Sequence, residues 1–334
     1  MGVTPAHTLG PVIGRLRAWQ PSAAAVRRAF LATLVTNAGI VVTGGAVRLT
    51  SSGLGCPTFP RCTDRSLVVT GEMGAHGLVE FGNRMLTFAL SAVVAVAIVT
   101  AWRVRRADLL RSGWLMFAGI VAQALLGGVT VLTGLNPATV MAHFLLSMVL
   151  IAVATHAYER SCGVPVAPQP RVRRDLLIGG RLLVVVVAAT LVAGTVVTGT
   201  GPHSGDKHAT HRFPFNLLEV TQLHADLVFL LVGLALGLTV ALRATASPPD
   251  LQRRALVLIG TVMLQGAIGY TQYFLDVPVG LVMVHVLGAT LVWIATLQLL
   301  LGMTERVSAV VPAARRPGRR ADDLPVASAT RPGA

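Results

Sequence analysis

Acidic residues are scarce: Asp and Glu number 14 in 334 residues, against 28 Lys and Arg, and charged residues make up only 13% of the chain. A soluble globular domain would carry roughly 25% charged residues, so that class is excluded. Disorder over most of the length is excluded as well, because 53% of the residues are hydrophobic and disorder needs low hydrophobicity with high charge. The mean hydropathy is +0.69. Cysteine is nearly absent, with three residues. The shortage of acid leaves a net charge of +14, which tempts one towards nucleic acid. No recognition motif accompanies that charge. The cations instead lie between apolar blocks, where they orient a chain in a lipid bilayer.

About 20 apolar residues are needed to cross a bilayer as a helix. Eight segments reach or approach that length: Ala29–Val47, His76–Trp102, Gly113–Thr133, Thr139–Tyr158, Leu177–Thr198, Leu218–Leu242, Ala255–Leu275 and Gly280–Met303. The first is too long for a cleaved signal peptide and lacks a convincing cleavage site, so it is expected to be a retained span. The two tails and the alternate connections together collect 22 of the 28 cations, including Arg103, Arg105, Arg106, Arg171, Arg173 and Arg174. This bias predicts that both termini are cytoplasmic. Cys56 and Cys62 fall in the first outer loop and Cys162 on the inner side. Paired thiols outside and a lone thiol inside suit the two redox compartments, so a Cys56–Cys62 disulfide is expected.

The chain repeats itself. Gln123, Gly127 and His143 recur as Gln265, Gly269 and His285 at an offset of 142, so the Gln-to-His spacing of 20 is kept twice. Gly39-Ile40-Val41-Val42-Thr43-Gly44 likewise recurs as Gly194-Thr195-Val196-Val197-Thr198-Gly199. The predicted architecture is therefore an all-α integral membrane fold. Its eight transmembrane helices form two tandem four-helix bundles, related by a pseudo-twofold axis along the membrane normal. The expected divisions are a tail at 1–28, a first half at 29–158, a linker at 159–176, a second half at 177–303 and a disordered cytoplasmic tail at 304–334.

Polar groups inside a bilayer are costly and mark candidate sites. His143, His224 and His285 lie at similar depth in the fourth, sixth and eighth spans, and Asn83 occupies the matching level of the second. Two histidines on neighbouring helices at equal depth suit axial ligation of one haem, which makes His224 and His285 a candidate bis-histidine site. Core histidines bonded to adjacent helices are the competing reading. Zinc is disfavoured because it wants four ligands. Glu80 is the acid placed well inside the first half's membrane layer and suits proton transfer; a structural pair with Arg84 competes. His76, one turn earlier, reads as a surface residue. The third outer loop carries His203, His208 and His211. They read as a solvated loop before a metal site, although His203 falls opposite Arg48 in the repeat.

Together the paired four-helix halves, the Cys56/Cys62 pair, Glu80-x-x-Asn83-Arg84 and the three histidines resemble the haem A synthase family. The similarity runs from about Arg27 to Met303. It implies oxidation of a methyl group of haem O to a formyl group, giving haem A for a haem–copper terminal oxidase. It implies a haem b cofactor between His224 and His285, and a haem O pocket in the first half. There Glu80 would be the essential acid, and His143, Asn83 and Arg84 would meet the substrate. The cysteine pair would serve haem transfer or fold integrity. Haem O synthase and oxidase assembly proteins are the implied partners, besides the lipid bilayer. One departure stands out: the family commonly has His where this chain has Asn83, and an amide is no strong iron ligand. The third outer loop also lacks a further cysteine pair found in some members. The rival reading is a non-catalytic b-type membrane cytochrome passing electrons between quinol and a partner.

Overall fold

The computed structural model describes residues 19–203, 205 and 211–308. Eight long helices dominate it: α1 (Ala23–Leu49), α2 (Gly74–Arg103), α3 (Ala107–Leu132), α4 (Pro137–Ser161), α5 (Arg174–Thr200), α6 (Leu217–Ala244), α7 (Pro249–Phe274) and α8 (Val279–Gly302). All eight are long and apolar enough to cross a membrane. Most begin a few residues before the apolar segment seen in the sequence, because polar first turns continue the helix beyond the hydrocarbon, and α8 is merely shifted by one residue. Ser22 accepts a bond from the Ala25 amide at the start of α1. Asn136 and Asn216 cap α4 and α6 in the same way, satisfying amides that a helix start leaves free.

Packing runs between neighbours around two rings. In the first, α1 packs on α2, α2 on α3, α3 on α4 and α4 back on α1; α5 to α8 close the second ring in the same order. Hence α2 lies diagonally across from α4, and α6 from α8. The halves meet through α1 against α8, α4 against α8, and α4 against α5. Exchanging one half for the other maps this set of contacts onto itself. The Trp293 indole donates to the Met148 carbonyl at 2.9 Å across that junction.

Large side chains such as Val96, Leu115, Val185 and Leu264 point outward and are more than half exposed. Around a soluble protein they would be a liability; around this one they meet lipid. Lipid is as apolar as leucine, so helix association rests on close packing. Phe30, Met116, Leu183 and Leu258 are fully buried between the helices.

The end of the molecule where α1 begins and α8 stops departs from expectation. Val164–Pro170, in the expected linker, forms β1, and Thr304–Ser308, in the expected disordered tail, forms β2. They pair antiparallel, from Val164 with Ser308 to Pro170 with Thr304, with an irregularity between Pro165 and Gln169. Prolines in β1 hide the strand signal, since proline occurs in sheets only at edges or bulges. Arg171 anchors this end by a two-pronged ion pair with Asp250, at 2.7 and 2.8 Å. The rest of the tail, from residue 309, is outside the described residues.

Candidate functional site

A single cavity of about 2310 Å³ runs through both halves and is lined by residues of all eight helices. That is more than twice the upper end of roughly 1,000 Å³ for a pocket holding one drug-sized ligand. His143, His224, His285, Glu80, Asn83 and Arg84 all line it. The three histidines and Glu80 lie six or seven residues in from the N-terminal ends of their helices, about 10 Å at the usual helical rise. The polar layer seen in the sequence is thus one layer in space.

The three histidines and Asn83 each stand against a glycine of the preceding helix. A Cβ at Gly127 would lie 3.3 Å from Cε1 of His143; at Gly194 and Gly269 it would lie 3.1 Å from Cε1 of His224 and His285. Gly44 stands in the same way to Asn83, with Nδ2 at 4.0 Å. Gly127 and its repeat partner Gly269, together with Gly194, therefore make room for the three rings.

Further hydrogen bonds orient the layer. His224 Nδ1 lies 3.1 Å from the Thr190 carbonyl. A carbonyl only accepts, so Nδ1 carries the proton and Nε2 keeps its lone pair. Gln123 donates to the His143 carbonyl at 3.1 Å, and Gln265 to the His285 carbonyl at 2.8 Å. Nδ1 of both His143 and His285 is buried without a hydrogen-bond partner among the described residues. The His224 and His285 rings line the same cavity. They come from diagonal helices of one half, with apolar walls between. Two imidazoles so placed suit a planar metal complex better than a bare tetrahedral ion.

The first half is built differently. Glu80 is 5% exposed, and its Oε2 accepts from the Cys56 amide at 2.6 Å. Its Oε1 pairs with Arg84 Nη2 at 2.5 Å. Arg84 also donates to the carbonyls of Cys56, Thr58 and Arg61. The outer loop is thereby tied to one turn of α2. Cys56 and Cys62 form a disulfide within it, as the compartment argument expected. The same loop lowers Phe59 onto α3, where a Cβ at Gly128 would lie only 2.5 Å from the ring. Sequence reasoning missed Phe59, Thr190 and Thr43. Thr190 shows no sign in the sequence, since only its backbone acts. Thr43 lies inside the repeated Gly-rich stretch, which was a usable pointer.

The remaining histidines divide. His76 is exposed and bonded to Ser52 Oγ at 3.0 Å. His203 lines the cavity at its outer rim; its ring bonds to the Val277 carbonyl and its own carbonyl accepts from Arg48 Nε at 2.8 Å. His208 lies outside the described residues. Among the described residues, no three His, Cys, Asp or Glu side chains gather as a metal site would require.

Comparison with known proteins agrees with this architecture. The chain aligns with heme A synthase of Lysinibacillus sphaericus (strain C3-41) at 34% identity over 119 residues, covering 34% of this chain and 38% of that protein. It aligns with heme A synthase of Geobacillus kaustophilus (strain HTA426) at 31% over 119 residues, covering 35% and 37%. The alignment with heme A synthase of Bacillus cereus (strain AH187) is 31% over 119 residues, covering 34% and 37%. The chain thus matches less than two-fifths of the length of each of these relatives. The family model for cytochrome oxidase assembly proteins of the COX15-CtaA type, by contrast, matches residues 27–297. With eight apolar helices in two rings and that match over most of its length, the chain belongs to the COX15-CtaA family of cytochrome oxidase assembly proteins.

Proposed function

We propose that the protein is a haem A synthase, a membrane oxidoreductase that oxidises a methyl group of haem O to the formyl group of haem A, for use by terminal oxidases. The observation that carries this reading is the family match over residues 27–297, joined to two imidazoles on diagonal helices of one half. The relatives bearing that name support the same activity.

In this reading haem b resides in the second half (177–303), held by His224 and His285. The residues fit the group. Thr190 fixes His224 with Nε2 free, Gly194 and Gly269 accommodate the two rings, and the chamber is otherwise largely apolar. When bound, haem b supplies one-electron chemistry. The first half (29–158) takes haem O, with His143 to hold its iron. Glu80 accepts protons released as the methyl is oxidised, and a general base of this kind contributes typically 10²–10⁴-fold. Arg84 pins the disulfide loop, and Phe59 closes the outer side against water. Arg48 and His203, at the outer rim, suit the propionate carboxylates. Both termini are cytoplasmic, which follows from the cation bias. The partners are a haem O synthase, oxidase assembly proteins and a separate electron partner.

The test is haem extraction from the full chain purified out of cells supplied with haem O, followed by chromatography. Haem A together with its alcohol precursor is the expected result. Haem b alone identifies a b-type cytochrome instead, and a protein free of haem rejects both.

A further inference from the structure

Asn83 carries more than the loss of a ligand. Its Oδ1 accepts from the Thr43 hydroxyl of α1 at 2.8 Å. The Thr43 hydroxyl has one proton, and Oδ1 at 2.8 Å is a nearer acceptor than the Ile40 carbonyl at 3.2 Å, so the proton goes to Oδ1 and Nδ2 is the end left over. Nδ2, with two donor hydrogens, bonds to no described residue, and Asn83 lines the cavity. The residue sits on α2, diagonal to α4 and His143, nine residues in from the start of its helix and so about 3–4 Å deeper than the histidines at the usual helical rise.

The second half offers an instructive contrast. There the helix that precedes the histidine also fixes one end of a polar side chain: the Thr190 carbonyl holds Nδ1 of His224. What remains facing the chamber is a lone pair on Nε2. In the first half, what remains is an N–H donor. A lone pair ligates a metal; an amide N–H cannot, but it hydrogen-bonds a small polar molecule bound to one. The two chambers therefore differ in polarity at one equivalent point.

We propose that the first half is an open, one-histidine haem site, in which His143 is the sole protein ligand and Asn83, oriented by Thr43, donates a hydrogen bond to a diatomic ligand of the dioxygen class. This deepens the function proposed above and rests on haem binding there. Asn83 is then a positioning residue for the small co-substrate, and Thr43 positions Asn83.

Carbon monoxide is the probe, and the full chain purified from haem-replete cells is the sample. After reduction, a CO-reactive fraction should appear beside a low-spin fraction that ignores CO. His143→Ala should remove the CO-reactive fraction and keep the low-spin one. Asn83→His should turn the CO-reactive fraction low-spin. Asn83→Leu should keep CO binding but release CO roughly threefold to tenfold faster, the fold-change of about one hydrogen bond, and should shift the C–O stretching frequency. Thr43→Val should change both readouts in the same direction and serves if Asn83→Leu fails to fold. A haem-loaded protein with only CO-insensitive low-spin haem overturns the open site and leaves the proposed function standing. CO release and stretch unchanged in both Asn83→Leu and Thr43→Val overturn the donor role. A preparation without any haem overturns the functional reading itself.

Discussion

The carboxylate of Glu80 and the backbone amide of Cys56 are joined by a 2.6 Å hydrogen bond. This places a membrane-embedded acid in direct contact with the disulfide loop that caps its own chamber. Arg84 completes the link by pairing with Glu80 and holding three loop carbonyls. Acid, guanidinium and loop form one unit.

Glu80→Gln keeps the shape and can still accept from the Cys56 amide, but it cannot take up a proton. It is expected to lower formyl production by about 10²-fold or more while haem content stays level. The check is haem A yield against total haem, measured by chromatography. Haem A yield equal to that of the parent would remove Glu80 from the chemistry.

Replacing both Cys56 and Cys62 by Ser removes the covalent closure of a short loop. A closure of this size is worth about 2 kcal/mol in the chain-entropy model. The expected outcome is a lower unfolding temperature and faster proteolysis within residues 56–62, with the low-spin haem signal of the second half retained. Limited proteolysis in detergent, followed by mass spectrometry, reads this directly.

Gly269→Val introduces branched bulk where even a Cβ would lie 3.1 Å from the His285 ring. The ring must move, so the low-spin spectrum should fall several-fold at unchanged protein level. Gly266, where a Cβ meets nothing within 4 Å, is the control on the same helix: Gly266→Ala should leave the spectrum intact.

Cys162 follows α4, on the side that the cation bias assigns to the cytoplasm, and is the free thiol among the described residues. Partial burial, reinforced by the Glu159 carboxylate, raises its pKa above the ordinary thiol range. The thiolate is the reactive form, so maleimide labelling should be slow at neutral pH and accelerate as the pH rises through that range. A membrane-impermeant maleimide should label it in inverted vesicles and not in intact cells. The opposite result would reverse the orientation drawn from the cation bias.

Much of the architecture is visible in the sequence, because bilayer spans are written as long apolar runs and the repeat fixes which positions share a depth. His143, His224 and His285 were placed in one layer by spacing alone, and the structure puts all three on one cavity. Helix ends were less legible: α1 starts at Ala23 and not Ala29, since Arg27 and Arg28 break the hydropathy without breaking the helix. Contacts made by backbone atoms left no trace at all. The Cys56 amide on Glu80 and the Thr190 carbonyl on His224 depend on where loops and helices meet, and no residue type announces them. The β1–β2 pair was hidden for a related reason, as its prolines read as linker.

The order of helices around each ring has a topographic outcome. Since α1, α4, α5 and α8 make the seam between halves, the pairs α2/α3 and α6/α7 form two flanks on opposite sides of the molecule. Phe88 and Leu125 on one flank, and Phe229 and Met263 on the other, line the cavity and are also largely exposed. Each half thus offers the surrounding bilayer its own apolar face, and the two faces look away from each other.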